Sequence, residues 1–210
     1  MLTQIKPISK RSGAADPPRM SYAEFLEWDT ENRHVEWVNG EVVTMAPVSN
    51  EHSNEQVFLL TIIQMFVDAR ELGKVRMEPF QMKTGPSLPG RAPDILFIAK
   101  RKTKRLKKTH LEGPADLVVE IISPGREAVD RKEKYNEYQA GGVREYWLID
   151  PMRKKAEVFV RGRDGLYRLA PMEDGVFNSV VLKGLWIKSD WLWRKPLPSV
   201  IAVAKEWKLI

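Results

Sequence analysis

The sequence predicts a mixed α/β fold in which helices flank a mixed central sheet. Between residues 50 and 150, hydrophobic periodicity gives the order helix, three strands, helix, strand. A strand–helix–strand step with short joints implies a right-handed parallel crossover, so this sheet combines parallel and antiparallel pairs. The chain has 210 residues, of which 43% are hydrophobic, which is enough for one substantial core but not for two domains.

Three short-range signals place elements before this core. Residues 1–19, rich in Lys, Ser, Gly and Pro, are predicted to be a disordered tail, which leaves residues 20–210 as a single domain. Ser21 and Glu24 form a capping box and predict a short helix. The pair Asn39-Gly40 lies between two strand-like runs and predicts an added N-terminal hairpin.

The core elements follow in order from residue 50. Apolar side chains at helical spacing predict a long helix to about residue 72, with Gly73 as its stop. Three extended segments, a second helix and a fourth strand are expected after it: Lys74–Lys83, Asp94–Ala99, Leu117–Ile122, about 127–140, and Glu145–Asp150.

The C-terminal part is predicted to add antiparallel strands and a last helix. The strands are expected at Lys155–Arg161, Leu166–Leu169 and Val176–Leu182, and the helix begins near Ser199. We expect the tryptophans of this part to close a core or a dimer interface rather than to stack on nucleic-acid bases, so a homodimer is one predicted assembly. These tryptophans are Trp186, Trp191, Trp193 and Trp207.

The composition excludes several function classes. The chain contains no cysteine, which rules out disulfides, thiolate zinc sites and a cysteine nucleophile. No continuous apolar segment resembles a signal peptide, and the longest apolar run, near residues 57–67, is too short to span a bilayer. We therefore expect a soluble, cytoplasmic protein without a membrane partner.

The positive charge is concentrated in one segment. The net charge is +6, and seven basic residues with no acidic ones occur between positions 100 and 108, so the rest of the chain carries a net charge of −1. A cation cluster of this density is suited to a polyanion, and a solvated loop is the alternative. Because the segment directly follows the strand that begins at Asp94, we expect it to lie beside the acidic residues and to contact nucleic acid. It consists of Lys100, Arg101, Lys102, Lys104, Arg105, Lys107 and Lys108.

Two carboxylates lie at predicted strands. Glu120 interrupts the apolar run Leu-Val-Val-Glu-Ile-Ile, and Asp94 precedes the run Ile-Leu-Phe-Ile-Ala. A lone carboxylate in a hydrophobic strand costs roughly several kcal/mol unless a cation or hydrogen bonds stabilise it. Paired carboxylates with a nearby lysine suggest a divalent metal and a phosphate ester. Each acid taken alone has a simpler interpretation. Asp94 would be an ordinary turn residue after a proline, and Glu120 would be a solvent-exposed acid of an edge strand.

The succession of motifs resembles the Uma-two family of endonucleases, a branch of the PD-(D/E)XK nuclease superfamily. The matching segments are Pro93-Asp94, residues 116–124 (Asp-Leu-Val-Val-Glu-Ile-Ile-Ser-Pro), Asp130 with Lys134, and residues 142–151 (Gly-Val-Arg-Glu-Tyr-Trp-Leu-Ile-Asp-Pro). The resemblance covers most of the chain and implies a restriction-endonuclease-like core. That core has the same order of elements as the hydrophobic periodicity indicates.

The resemblance also implies a Mg²⁺ or Mn²⁺ ion and assigns its ligands. Asp94 and Glu120 would bind the ion together with the backbone carbonyl of Ile121. Hard oxygen ligands of this kind are what magnesium requires. Glu36 matches the acidic residue at the hairpin of the family, where it would serve as an additional ligand of the metal or orient a water molecule. His52 lies where such proteins often have histidine, although the interpretation that we prefer for it is a residue of the first helical turn or a satisfied polar contact.

The lysine of the superfamily is displaced in this sequence. It usually stands two residues beyond the second acid, but that position is Ile122. The resemblance assigns its role to Lys134 on the following helix. Asp130, Lys134 and Tyr138 are spaced by four residues and so line one helical stripe. Without the resemblance, a surface ion pair between Asp130 and Lys134 would explain this spacing.

The sequence thus predicts a metal-dependent endonuclease that hydrolyses phosphodiester bonds of DNA. Its expected catalytic residues are Asp94, Glu120, Lys134 and Glu36. Two other classes remain open, because a nuclease fold can host other tasks. One is a nucleic-acid-binding module without catalysis, and the other is a dimeric partner-binding protein.

Overall fold

The computed structural model describes residues 19–28 and 34–210, so the tail predicted for residues 1–19 lies, except for Arg19, outside the described residues. The helices that it contains are α1 (Tyr22–Glu27), α2 (Asn50–Ala69), α3 (Tyr135–Gly141) and α4 (Val200–Glu206). The strands are β1 (Val35–Val38), β2 (Glu41–Thr44), β3 (Gly73–Met77), β4 (Gln81–Lys83), β5 (Gly90–Arg91), β6 (Ile95–Ala99), β7 (His110–Glu112), β8 (Leu117–Ile121), β9 (Glu145–Asp150), β10 (Lys155–Arg161), β11 (Tyr167–Leu169), β12 (Val176–Asn178) and β13 (Trp186–Lys188).

The N-terminal elements agree with their sequence signals. The Ser21 side chain accepts a hydrogen bond from the Glu24 amide, and the Glu24 side chain accepts one from the Ser21 amide, which is the predicted capping box of α1. Strands β1 and β2 pair in antiparallel fashion around Asn39 and Gly40. Both turn residues have positive φ, as a two-residue hairpin turn requires.

Six strands form the main sheet in the order β11-β10-β9-β8-β6-β3. Strands β8 and β9 pair in parallel, and the other neighbouring pairs are antiparallel. The chain passes from β8 to β9 through α3, as the predicted strand–helix–strand step requires. The mixed α/β architecture with a mixed central sheet is therefore confirmed.

The predicted strand Lys74–Lys83 is wrong, because the chain turns within it. Strand β3 belongs to the main sheet, whereas β4 joins a second sheet of order β2-β1-β5-β4-β7. Pro79 lies between them and has no N–H to continue a ladder. The resulting turn carries Glu78, which the sequence analysis left unassigned.

The helix boundaries also differ from prediction. Helix α2 ends at Ala69, and Gly73 is the first residue of β3 rather than the helix stop. The second helix, predicted for about 127–140, begins with a π-helical segment at Val129–Lys134 and continues as α3. No helix in the described part of the chain has the length and apolar character needed to cross a membrane.

Two hydrophobic clusters cover the two faces of the main sheet. Helix α2 packs on one face, where its buried side chains meet Val119 of β8 and Trp147 of β9. On the other face, Tyr138 of α3 packs with Tyr146 and with apolar residues of β6 and β8. Because successive strand residues point to opposite faces, Val119 faces α2 and the next residue, Glu120, faces α3.

The C-terminal tryptophans belong to the core. Trp191 and Trp207 are buried, and Trp186 and Trp193 pack against the α2-side cluster. The rings form tilted pairs, with centroids 5.4 Å apart for Trp186 and Trp191. The part of the prediction that placed them in a core is therefore confirmed.

Candidate functional site

Asp94 and Glu120 lie on neighbouring strands of the main sheet. Ile95 of β6 pairs with Val119 of β8, and this antiparallel register, continued by one residue, places Asp94 opposite Glu120. The Ile121 amide donates a 2.6 Å hydrogen bond to Asp94 Oδ2. Both carboxylates are buried. The two acids are therefore neighbours at one end of the sheet, as expected, and the backbone of Ile121 contacts Asp94 there.

Lys134 reaches into this region from the π-helical segment. Its Nζ lies 2.9 Å from Glu120 Oε2, 3.1 Å from Asp130 Oδ1 and 3.9 Å from Glu36 Oε1. The Lys134 side chain is only 3% exposed. The alternative of a surface ion pair between Asp130 and Lys134 is thus wrong, because both groups are buried and Glu120 shares the ammonium.

Tyr138 completes the predicted helical stripe. Its hydroxyl donates a 2.6 Å hydrogen bond to Glu120 Oε1, so both Glu120 oxygens have a donor within 3 Å, one from the phenol and one from Lys134. Spacing of four residues along the helix places Lys134 and Tyr138 on the same carboxylate. A carboxylate oxygen has two lone pairs, so each Glu120 oxygen still has room for another ligand.

Burial governs the charges of this group. It raises the pKa of Glu120 to about 8, with the charges of Asp94 and Asp130 acting in the same direction and Lys134 opposing them. Burial alone would lower the pKa of Lys134, but Glu120 and the other carboxylates outweigh it and raise that pKa well above its usual value. The lysine therefore stays protonated. Three carboxyl groups lie within 4 Å of its single charge, so a cation that binds here would displace a proton from them.

Glu36 faces the interior rather than water. The pairing of Trp37 with Gly90 sets Arg91 of β5 across from Glu36, and the two side chains form a 3.0 Å ion pair. The Ala92 amide also donates to Glu36 at 3.2 Å. Burial opposes ionisation, yet Lys134 and Arg91 outweigh it and lower the pKa of Glu36.

Arg91 connects three elements and was not found from the sequence. Besides Glu36, it binds Glu137 of α3 through two hydrogen bonds of 2.7 Å. This bidentate contact ties the N-terminal hairpin to the helix that carries Tyr138. Arg91 follows a glycine in a loop-like stretch, and nothing in its sequence neighbourhood indicates a buried arginine.

His52 and Glu78 approach Asp94 from the side of α2. His52 Nε2 lies 3.3 Å from Asp94 Oδ1. Burial lowers the pKa of His52 and the contact with Asp94 raises it, and the contact prevails. One ligand atom each from His52, Glu78 and Asp94 lie within 4.8 Å of one another. The preferred interpretation of His52, a residue of the first helical turn with a satisfied polar contact, agrees with its position and with the 3.0 Å contact between its Nδ1 and Ser123 Oγ. It did not identify Asp94 as a partner.

The basic segment lies at the other end of β6. Residues Lys100–Arg105 form a 3₁₀ helix directly after Ala99, whereas Asp94 precedes Ile95. The six steps along the chain from Asp94 to Lys100, at about 3.3 Å each, separate these two residues by roughly 20 Å. The expectation that this segment adjoins the carboxylates is therefore wrong, because a strand carries its two ends apart.

Four of the seven cations in this segment form ion pairs. Lys100 pairs with Glu71, Arg101 and Lys102 with Asp116, and Lys107 with Glu112, at distances of 2.9 to 3.5 Å. Among the described residues, three cations of the segment make no ion pair: Lys104, Arg105 and Lys108. These three are exposed and have their charge available to a ligand.

The donors around Asp94 suit a divalent cation. Asp94 Oδ1 accepts no hydrogen bond within the described part of the chain, and His52 Nε2 beside it has no hydrogen-bond partner. Carboxylate oxygens are ligands that Mg²⁺ and Mn²⁺ share, and imidazole nitrogen is a ligand of transition metals. Asp94 Oδ1 and the remaining lone pairs of the two Glu120 oxygens therefore fit the ion that the resemblance implies.

The fold and these residues define a protein of the restriction-endonuclease-like class. The sequence profile of the Uma2 family, described as "Putative restriction endonuclease", matches residues 22–190. The chain belongs to this family, which confirms the resemblance noted from its motifs.

Two further similarities agree with this placement. The crystal structure of "a putative nuclease belonging to DUF820" from Anabaena variabilis superposes with a TM-score of 0.68 at 17% identity, and the match covers 83% of this chain and 97% of that one. At this identity the similarity shows a shared fold. An uncharacterized protein of Synechocystis sp. is 26% identical over 162 residues, covering 73% of this chain and 80% of that protein.

Proposed function

We propose that this protein is a metal-dependent endonuclease that hydrolyses phosphodiester bonds of DNA. The observation that carries the proposal is the position of Glu120 opposite Asp94, with Lys134 Nζ 2.9 Å from its carboxylate. Family membership supports nuclease chemistry, and the surplus of buried carboxylates supports a bound cation.

In this proposal Asp94, Glu120 and the carbonyl of Ile121 hold Mg²⁺ or Mn²⁺. When bound, such an ion polarises a phosphodiester and lowers the pKa of a ligand water. The Ile121 amide fixes one Asp94 oxygen by its 2.6 Å hydrogen bond. Tyr138 and Lys134 together fix the orientation of the Glu120 carboxylate. The chain itself thus sets the geometry of the two acids.

Lys134 and Glu36 have supporting roles in the proposal. Lys134 remains protonated, so its ammonium is able to stabilise negative charge on a phosphate or to orient a water molecule. Glu36 lies 3.9 Å from the same ammonium and is fixed by Arg91. It therefore acts as a positioning residue for Lys134.

The basic segment is proposed to hold DNA at a distance from the cleavage point. Roughly 20 Å of strand corresponds to about six base pairs of duplex. One duplex is therefore long enough to reach both the acids and the exposed cations. The proposed contact is electrostatic and carries no base specificity.

Plasmid nicking tests the proposal. Supercoiled DNA with Mg²⁺ or Mn²⁺ should be nicked by the wild type. Asp94→Asn, Glu120→Gln and Lys134→Met should each lose activity by about 100-fold or more, because the first two remove a ligand of the ion and the third removes the ammonium proposed to act on the phosphate or its water. Glu112→Gln and Lys132→Met change exposed residues of the same types and should nick normally. Unchanged nicking in Glu120→Gln would exclude this site.

One observation favours a second candidate, a nucleic-acid-binding module without catalysis. Both Glu120 oxygens already receive hydrogen bonds from the protein, so the carboxylate is stabilised without a metal. Such a module would bind DNA equally well with EDTA and with Mn²⁺ and would cleave nothing.

A homodimer and a cytoplasmic location remain predictions from the sequence. Analytical ultracentrifugation would measure the oligomeric state.

A further inference from the structure

A second group of metal-ligating side chains lies on the α2 side of Asp94, apart from the contacts of Glu120 and Lys134. It consists of His52, Glu78 and Asp94, each with a ligand atom within 4.8 Å of the others. Adjacent ligands at about 2.1 Å from one ion lie about 3 Å apart. His52 Nε2 and Asp94 Oδ1 are separated by 3.3 Å, so only a small contraction is needed.

His52 distinguishes this group from an ordinary cluster of acids. Its side chain is only 4% exposed, yet Nε2 has no hydrogen-bond partner and is directed at Asp94. The other ring nitrogen, Nδ1, lies 3.0 Å from Ser123 Oγ. Metal binding through Nε2 requires the tautomer with its proton on Nδ1, and in that tautomer Nδ1 would donate to this hydroxyl. Metal-bound histidines are oriented by the same kind of second contact.

Gln56 fixes the two acids relative to each other. Its Nε2 donates to Glu78 Oε1 at 3.1 Å and to the backbone carbonyl of Asp94 at 3.2 Å. One side chain of α2 thereby positions the Glu78 turn beside the start of β6. The second Glu78 oxygen lies 3.6 Å from His34 Nδ1 and accepts no hydrogen bond among the described residues.

We propose that His52, Glu78 and Asp94 form a divalent-cation site separate from the position between Asp94 and Glu120. Its imidazole nitrogen favours a first-row transition metal, because Mg²⁺ prefers an all-oxygen shell. The site therefore binds Mn²⁺ in preference to Mg²⁺. The binding itself is independent of hydrolysis. One further step rests on the proposed function, namely that two ions share Asp94 and act together on a phosphodiester.

Manganese binding measured by electron paramagnetic resonance tests this site, because the signal of free Mn²⁺ decreases as the ion binds. The full-length protein should bind Mn²⁺ with excess Mg²⁺ present. His52→Ala and Glu78→Gln should each weaken this binding by more than about tenfold, since even outer-shell contacts are worth 10- to 100-fold. The remote His110→Ala and the exposed Glu112→Gln should stay within about threefold of wild type. Glu120→Gln, which alters the neighbouring ion position, should weaken the binding by less than about tenfold.

The outcomes separate this inference from the nuclease proposal. Mn²⁺ binding that is lost in Glu120→Gln but kept in His52→Ala and Glu78→Gln would overturn the inference, and so would loss in all three, which indicates one shared site. Wild type that fails to bind Mn²⁺ in excess Mg²⁺ would overturn it too. Thermal unfolding confirms that each variant is folded. Specific Mn²⁺ binding without any nicking would leave this site standing and refute the nuclease.

Discussion

At the scale of single residues, Lys134 stabilises the buried acids by supplying their counter-charge. Its ammonium lies within 4 Å of carboxylates from three different elements, and its side chain is almost fully buried. Removing one partner from such a group leaves unpaired charge in the interior, which costs more than the pair itself contributes. Lys134 therefore has a structural role that any activity measurement has to separate from catalysis.

Lys134→Met should destabilise the protein by about 3 to 5 kcal/mol, because Glu120 and Asp130 lose their counter-ion. Lys132→Met, two residues earlier and exposed, should change stability by less than about 0.5 kcal/mol. Urea unfolding at pH 8 measures both. The double variant Lys134→Met/Glu120→Gln should recover part of the loss, and a double variant no more stable than the single one would contradict the pairing.

Glu55 is expected to make the free energy of unfolding decrease as the pH rises. It is buried in α2, one of its oxygens has no hydrogen-bond partner, and burial raises its pKa to about 7. A carboxyl whose pKa is raised in the folded state penalises folding once it ionises. The penalty is absent below pH 4.5, grows from there to about pH 7, and is constant above.

Glu55→Gln should therefore be more stable than wild type at pH 8 and equal to it at pH 4.5. Thermal unfolding of both proteins across this range measures the difference. Glu51→Gln removes the same charge from the exposed first turn of the same helix and controls for net charge. A difference between Glu55→Gln and wild type that does not vary with pH would contradict burial as the cause.

At the scale of elements, the close contact of β3 with β6 depends on Gly73. A Cβ at this position would lie 2.0 Å from the carbonyl oxygen of Ile98, which is backbone and cannot rotate away. The sequence analysis assigned Gly73 to the end of α2, but the structure uses it to bring two strands together. A glycine close to a helix end is explained either as the helix stop or as a site of close approach between strands. Only the strand that pairs with it, here β6, decides between the two.

Gly73→Ala should cost about 3 kcal/mol, at the upper end of overpacking, since the strands must separate to admit the methyl group. Gly85→Ala, where the nearest atom would lie at 3.4 Å, should cost less than about 0.5 kcal/mol. Chemical denaturation of both variants provides the comparison. Equal costs would show that the β3–β6 contact relaxes easily.

The elements that the sequence predicted well are those defined by local patterns. The capping box at Ser21, the turn at Asn39-Gly40 and the stripe from Lys134 to Tyr138 each depend on residues at most four positions apart. Local geometry fixes such contacts regardless of the rest of the fold.

The parts that were missed depend on packing between distant segments. Arg91 meets Glu36 across 55 positions, and Gln56 meets Glu78 across 22. No spacing rule connects such pairs, so neither Arg91 nor Glu78 could be assigned in advance. The placement of the basic segment was a different error. A strand between Asp94 and Lys100 already implies that they lie at opposite ends.

At the scale of the whole molecule, charge is divided between two places. Buried carboxylates with their counter-ions collect at one end of β6, and exposed cations follow its other end. A duplex that lies along this side of the protein would meet attraction at one end and, without a metal ion, repulsion at the other. The metal ion is thus expected to affect DNA affinity as well as cleavage.

Replacing Lys104, Arg105 and Lys108 by Gln should reduce the salt dependence of DNA binding. Each lost phosphate contact lowers the log–log slope by about 0.9. Replacing Lys100, Lys102 and Lys107 by Gln should have less effect, because these cations already pair with protein carboxylates. Fluorescence anisotropy with a labelled duplex between low and moderate salt provides the slopes. Equal slopes in wild type and the first triple variant would remove the segment from the DNA interface.

The parallel pairing of β8 with β9 has a consequence for synthesis of the protein. Glu120 belongs to β8, its counter-ion and phenol donor lie beyond it in the chain, and β9 is added later still. A chain emerging from the ribosome consequently has no assembled acid cluster until residue 150 is free to fold. If that cluster cuts DNA, translation delays its activity until most of the polypeptide has been made, and fragments truncated before β9 are harmless to the genome that encodes them.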